Sequence, residues 1–268
     1  MSDDRAPKAR LAAVLGISRS RLYYDPKLPP KDWALKCRME TVLREFPSYG
    51  YRRLALELQV NGKRTLRVMR LFGMKPYRRR GRKPKKAEGS ATQGYPNLLL
   101  AIQPKQPGQV WVSDFTYLWY KTTFVYLCTV MDIYTREVVG WSVQKTHDGS
   151  LVLNALFAGL ANHARPAIFH SDNGREYIAR PCTSALTDLG VAISRSAKGC
   201  PWENGYQESF YSQFKVDLGD PGRFRTLGEL TAAIHQTVYT YNTARIHSIL
   251  KMAPQAFARH LMHSELLS

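Results

Sequence analysis

The stretch Gln109–Val143, QVWVSDFTYLWYKTTFVYLCTVMDIYTREVVGWSV, decides the fold. From Gln109 onward the apolar spacing changes from helical to alternating. Val110, Val112 and Asp114 fall on one side of an extended chain, and Trp111, Ser113 and Phe115 on the other. Phe124–Met131 and Glu137–Val143 are rich in β-branched and aromatic residues. The segment Asp132-Ile133-Tyr134-Thr135-Arg136 between them reads as the turn of an antiparallel hairpin. Three consecutive strands result, the first with a carboxylate on its valine face.

Downstream the pattern alternates. Asp148 or Ser150 starts an amphipathic helix through Leu151, Leu153, Leu156 and Leu160. Pro166 precedes a short strand, 167–171, which delivers Asp172 at its carboxyl end. A helix over roughly 176–189 leads to a strand at 191–193. Ser194–Lys215, SRSAKGCPWENGYQESFYSQFK, then reads as a loop holding Lys198 and Gly199, followed by a helix from about Trp202 that carries Glu208. Five strands with interleaved helices predict an α/β fold: a mixed five-stranded sheet with helices on its faces.

Upstream the chain is helical and basic. Residues 9–24 outline a helix-turn-helix, two short helices around Gly16-Ile17 with Ser18 capping the second. Residues 25–31, with Pro26, Pro29 and Pro30, read as a linker, and Asp32 as the cap of a helix running to about Phe46. Two further amphipathic helices, 51–58 and 63–72, flank the Asn61-Gly62 turn. Arg52, Arg53, Lys63, Arg64, Arg67 and Arg70 are assigned to their outer faces. Such a pair suits docking on a DNA backbone or groove; a solvated face on a small bundle is the plainer alternative. YRRRGRKPKK at 77–86, with Arg79 and Arg80, reads as a DNA-tracking linker, or as an import signal or a merely solvated charge run. The expected organisation is a small all-α DNA-binding module at 1–76, a basic linker at 77–105, and a catalytic core with C-terminal helices at 106–268.

Charge supports this division. The chain holds 39 Lys and Arg against 21 Asp and Glu, a net +18. Residues 1–95 contain 24 basic and 8 acidic residues, whereas 96–268 contain 15 and 13. A basic front half joined to a near-neutral back half points to a polyanion as partner. The 44% apolar content supplies a core and excludes global disorder. Four cysteines without CxxC spacing read as reduced, buried thiols of a cytoplasmic protein. No signal pattern or long apolar run suggests export or a membrane span.

Helical phase selects among the acids. Each helical residue advances about 100°, so Glu203 and Asp217 lie roughly 140° and 180° from Glu208 and share no face with it. Asn204, Ser212 and Lys215 lie within roughly 40° of Glu208. Asp114 on a valine face is costly to bury unless something positive pairs with it. Taken singly, Glu208 is an ordinary exposed helix glutamate, Asp172 a turn cap, and Asp132 a hairpin residue. Together, Asp114, Asp172 and Glu208 would repel one another unless divalent cations neutralise them. Oxygen ligands without a Cys or His pattern favour Mg²⁺ or Mn²⁺ over zinc. Two such ions roughly 3.5–4 Å apart can activate an attacking hydroxyl and stabilise a departing oxygen. This chemistry suits a nuclease, a polymerase or a transposase equally.

Trp111-Val-Ser-Asp114, His170-Ser-Asp172-Asn-Gly174 and Lys198-Gly199-Cys200…Asn204…Glu208-Ser209-Phe210 resemble the DDE integrase core of bacterial insertion-sequence transposases. More narrowly, the chain resembles the second-frame protein of the IS-three group. Tyr49-Gly50-Tyr51-Arg52-Arg53, Arg70-Leu71, Tyr241-Asn242, Arg245, His247-Ser248, Leu250 and Pro254 extend the match. The resemblance implies an RNase H-like fold, two metal ions at Asp114, Asp172 and Glu208, hydrolysis at transposon ends, and attack of a 3′-hydroxyl on DNA. By the same similarity Lys215 would touch DNA near the site, with Asn204 and Lys198 as candidate companions. The implied partners are double-stranded DNA at transposon ends and target, further copies of the chain, and a first-frame protein joined by frameshift fusion. Pro201-Trp202-Glu203 departs from the Tyr-Asp that relatives usually carry before Asn204. The zinc module of retroviral integrases has no counterpart in this sequence. A non-catalytic relative that occupies DNA ends without cutting is the alternative from another class.

Overall fold

The computed structural model describes residues 8–18, 20–21, 28–77, 94–197 and 205–265. The stretch quoted first forms three antiparallel strands, β1 (Val110–Tyr120), β2 (Thr123–Asp132) and β3 (Val138–Gln144). Asp132 shapes the turn into β3: its Oδ1 accepts from the backbone N–H groups of Tyr134 and Thr135 at 2.8 and 2.9 Å. Its role is structural, as its place in the hairpin predicts. β4 (Ile168–Ser171) and β5 (Ala192–Arg195) complete a sheet of order β3-β2-β1-β4-β5, with β1, β4 and β5 parallel.

The period-two alternation sorts side chains into two cores. On one face Trp111, Val130 and Phe169 pack against α5 (Gly149–Leu160), α6 (Arg175–Ile178) and α7 (Arg180–Asp188). On the other, Val110, Val112 and Leu127 meet α8 (Gly205–Leu218) and α9 (Leu227–Thr243). Asp148 is the N-cap of α5, accepting from Ser150 N at 2.9 Å. The single helix expected over 176–189 is instead two. Ala179 leaves helical geometry at φ −57°, ψ 136°, because Pro181 has no N–H and its ring would clash with the carbonyl of Tyr177.

The approach of β3 to α5 is closest at Gly140. A Cβ there would stand 2.2 Å from the Ala155 carbonyl oxygen and 2.6 Å from the Gly159 nitrogen, both backbone atoms that cannot rotate away. Gly140→Ala is therefore expected to lower stability by about 1–3 kcal/mol through overpacking, measured by denaturant unfolding. An unchanged midpoint would show that the two layers separate more easily than this contact implies.

The front half departs from the sequence reading in several places. α1 (Lys8–Val14) is followed by Gly16 in a left-handed conformation and by a bond from Arg21 N to the Ser18 carbonyl. The rest of the expected second helix lies outside the described residues. α2 (Leu28–Glu45) begins inside the expected linker, with Pro29 and Pro30 in its first turn, where a missing N–H leaves no bond unmade. Asp32 is accordingly not a cap but a buried residue of the helix body. Its Oδ1 lies 2.7 Å from Arg67 Nη2 on α4 (Gly62–Leu71), and this bond holds the Asp32 carboxyl below its ordinary value. Asn61, between α3 (Tyr51–Glu57) and α4, accepts from Lys63 N at 2.9 Å and caps α4.

The arginines assigned to an outer face are not equivalent. Arg52 is exposed. Arg67 binds Asp32, and Arg64 donates to the Lys31 carbonyl at 3.2 Å. Arg53 is half-buried, its guanidinium 5.6 Å from the Tyr49 ring centroid, so it turns inward rather than outward. Arg79 and Arg80 lie outside the described residues.

The helical module is docked on the core through the segment that follows α9. Arg245 Nε pairs with Asp217 Oδ2 of α8 at 2.9 Å, and Arg245 Nη2 donates to Ser48 Oγ at 2.6 Å. The Tyr49 hydroxyl accepts from Ile246 N at 2.6 Å. Asn242 bonds both the N–H and the carbonyl of Val138, fixing α9 to β3. α10 (Pro254–Glu265) packs on α9. No described helix is long and apolar enough to cross a membrane. Cys128 and Cys182 are buried thiols, but Cys37 is exposed, contrary to expectation, because it sits on the solvent side of α2; Cys200 lies outside the described residues.

Candidate active site

Strand register brings the two aspartates together. Val112 of β1 pairs in parallel with His170 of β4, the last such pair between these strands. Asp114 and Asp172 each follow that pair by two residues, so both emerge where the two strands part. Each is oriented by a local amide. Asp114 Oδ1 accepts from Phe115 N at 2.8 Å, and Asp172 Oδ1 from Gly174 N at 2.9 Å. Gly174 must stay small: a Cβ there would come within 2.7 Å of Glu176 Oε2 and 3.0 Å of Asp172 Oδ1.

Glu208 arrives from the opposite direction, on the first turn of α8. The residues flanking it on the helix lock that helix to the sheet. Gln207, fully buried, donates through Nε2 to the Val112 carbonyl at 2.9 Å and accepts from Thr129 Oγ1 at 2.9 Å. The Tyr211 hydroxyl donates to the carbonyl of Asp114 itself. Phe210, Phe214 and Leu218 bury the apolar side of α8, and Glu208, Ser209 and Ser212 remain exposed. Asp217 points away into its pair with Arg245, as the helical phase requires. Asn204, Lys198 and Glu203 lie outside the described residues.

The electrostatics show that the acids sense one another. Burial, then Asp172, then Glu208 push the Asp114 carboxyl up to about 7, against the pull of its Phe115 amide bond and of Lys215. Asp172 is raised as well, by burial first and then by Glu176, while the Gly174 amide bond and Arg195 oppose the shift. Lys215, two turns beyond Glu208 on α8, is the cation that acts on Asp114.

A folded value near 7 against an ordinary 3.8 fixes the sign of a pH effect. The stability this group contributes is fully present below its unfolded value and is lost as pH rises through about 7. The metal-free protein is therefore expected to melt at a lower temperature at pH 8 than at pH 5.5. Added Mg²⁺ is expected to flatten that slope, because a bound cation replaces the proton. Melting curves across this range with and without Mg²⁺ check it, and a slope indifferent to Mg²⁺ would count against a cation between these acids.

Several contacts that support the site carry no signal in the sequence. Arg195, fully buried at the end of β5, donates to Ser171 Oγ and, at 2.7 Å, to the Tyr177 carbonyl, bracing the turn that bears Asp172. Asn173 Nδ2 donates to the Ser196 carbonyl at 2.8 Å. His147 Nδ1 lies 2.6 Å from Glu176 Oε1, and its ring stacks on Phe115 with centroids 5.9 Å apart. These contacts join residues distant in the chain, so no local pattern announces them.

The donor chemistry fits a hard divalent cation. Asp114, Asp172 and Glu208 offer only carboxylate oxygen, without thiolate or imidazole, and mutual repulsion is what a cation would relieve. The acids stand within electrostatic reach but not within one coordination sphere: among the described residues, no three His, Cys, Asp or Glu side chains converge as a metal site.

The chain is similar to known proteins in sequence and in fold. Two family models, both described as integrase core domain, match residues 104–201 and 189–254. The transposase for insertion sequence element IS904 of Lactococcus lactis subsp. lactis (strain IL1403) is 32% identical over 217 residues, covering 76% of this chain and 82% of that protein. An uncharacterized 31 kDa protein of insertion element IS600 from Shigella sonnei is 31% identical over 263 residues, covering 92% and 97%. A chain of the simian T-cell lymphotropic virus intasome, solved with PP2A regulatory subunit B56 gamma, aligns with a TM-score of 0.51 at 18% identity, over 81% of this chain and 73% of that one. That likeness is one of fold, and it makes the mixed sheet RNase H-like. With the integrase core matched from 104 to 254 and relatives aligned over most of their own length, the chain belongs to the insertion-sequence transposases, polynucleotidyl transferases built on an integrase core domain.

Proposed function

We propose that the protein nicks DNA at transposon ends and joins the freed 3′-hydroxyl to target DNA, with Asp114, Asp172 and Glu208 holding two Mg²⁺ or Mn²⁺ ions. The observation that carries this reading is the approach of three acids from β1, β4 and α8, close enough that Asp172 and Glu208 raise Asp114. In the first step water adds to phosphorus and the P–O bond to the 3′-oxygen breaks, that oxygen leaving with a proton. In the second, the 3′-oxygen attacks a target phosphorus and displaces another sugar oxygen, so one phosphodiester replaces another. Ions held there would supply activation of the attacking oxygen and charge relief for the departing one. The Phe115 and Gly174 amides orient the two aspartates, and Gln207 and Tyr211 hold Glu208 in phase with them.

Lys215 stands on the Glu208 side of α8 and is assigned to a DNA phosphate near the reacting bond. Arg52, and the exposed parts of Arg64 and Arg67, are assigned to the duplex backbone, while Arg53 is assigned a secondary part because it turns inward. Lys198, Asn204, Arg79 and Arg80 keep their proposed DNA roles from sequence alone. Double-stranded DNA in the bacterial cytoplasm is the substrate of this reading, with several copies of the chain assembled on the paired ends and a first-frame protein joined by frameshift. The test is a strand-transfer assay with transposon-end oligonucleotides in Mg²⁺ or Mn²⁺, run on this chain and on the fusion. Joined product that disappears in Glu208→Gln, with DNA binding retained, supports the reading. Absence of product from both proteins would leave a DNA-end-binding relative as the better account.

A further inference from the structure

Beyond Val112, β1 has lost β4 as a neighbour, and the β1–β2 ribbon runs on alone. Its outer part carries three exposed rings: Tyr117 at 60%, Trp119 at 53% and Phe124 at 41%. Phe124 meets both others edge to face, with centroids 5.3 Å from Tyr117 and 4.8 Å from Trp119. These rings, with Tyr77 just beyond the front module, line a groove of about 610 Å³. Lys215 also lines it, its Nζ 5.0 Å from the Tyr117 ring centroid. Asp220 also lines the groove, but its Oδ1 is engaged by Gly222 N at 3.0 Å. Contiguous exposed rings on a protein surface mark an interaction site.

We propose that this groove binds the unpaired bases of a DNA strand at the cut end, stacked on Tyr117 and Trp119 with a phosphate at Lys215. The inference rests on the DNA-joining reading above. Three features favour an unpaired strand over an apolar protein segment. A cation, Lys215, lines the groove beside a ring, in a chain whose net charge is +18. The groove shares α8 with the candidate acids, since Lys215, which lines it, lies two helical turns, about 10 Å, beyond Glu208. Finally, aromatic faces beside a cation are how proteins hold single strands without reading their sequence.

The test uses the full chain and two probes: a blunt transposon-end duplex and the same duplex with a short single-stranded overhang containing 2-aminopurine. The overhang is expected to bind about tenfold more tightly than the blunt duplex, with quenched fluorescence from stacking. Trp119→Ala and Tyr117→Ala are each expected to remove most of that preference and the quenching while leaving blunt-duplex affinity unchanged; Trp119→Phe keeps both. Equal affinity for the two probes, or a preference that survives both alanine variants, overturns the groove assignment. A change in oligomeric state on Trp119→Ala, with DNA preference intact, would make the rings a protein interface instead and also overturns it. Failure of the wild-type chain to bind even the blunt duplex would instead remove the DNA-joining reading.

Discussion

Asp114→Asn is expected to reduce strand transfer by about 10³-fold or more while leaving DNA affinity within a fewfold of wild type. The amide keeps the size of the side chain and its bond from Phe115 N, so the strand should not move. What it loses is the charge that a cation would bind. The same substitution is expected to stabilise the metal-free protein above pH 7, because it removes a buried carboxylate that neighbouring acids already disfavour. Activity and stability therefore move in opposite directions, the usual sign of a residue kept for chemistry rather than folding. A variant that loses activity and stability together would identify Asp114 as structural, and the single-turnover joining assay and a melting curve distinguish these outcomes.

Arg245→Ala is expected to be the most damaging single change outside the sheet, costing about 3–5 kcal/mol in chemical unfolding. Arg245 is 2% exposed, and its guanidinium serves Asp217 of α8, Ser48 of the front module and the Tyr49 ring, whose centroid lies 5.2 Å away. Removing it strands Asp217, whose carboxyl burial already pushes up and which Arg245 and Arg53 hold back. Asp217→Asn in the Arg245→Ala background should recover part of the loss, since it removes the orphaned charge. Arg245→Lys should fall short of wild type, because one ammonium cannot serve the same three partners. A cost near zero for Arg245→Ala would mean that the front module is not held to the core by this contact.

Much of the core is legible in the sequence because its signals are local. Alternation over Val110–Phe115 and the β-branched runs that follow suit strands, both faces of which the sheet buries, and Asp132 between them suits a turn. The helical phase of α8 separates Glu208 from Asp217, and the second of these indeed points to Arg245. The front half is less legible. Asp32 has the residue type and position of a cap, yet helix formation begins at Leu28, because prolines are tolerated in a first turn and Arg67, thirty-five positions later, makes an interior aspartate favourable. Arg53 reads as a surface cation because the groups that enclose it, Asp217, Tyr241 and Arg245 beside the Tyr49 ring, come mostly from the far end of the chain.

The strands, most of the helices, the charge asymmetry and the choice of three candidate acids all follow from the order of residues, since periodicity and residue type are properties of neighbouring positions. That these acids approach one another follows only from the folded chain. The parallel pairing of Val112 with His170 places Asp114 beside Asp172, and Gln207 and Tyr211 fix the angle at which α8 presents Glu208. Folding likewise brings Arg195 beneath Asp172 and docks Arg245 against Asp217 and Ser48. Such contacts depend on strand register and helix packing between distant segments, and these are settled by burial of the shared core rather than by any local pattern.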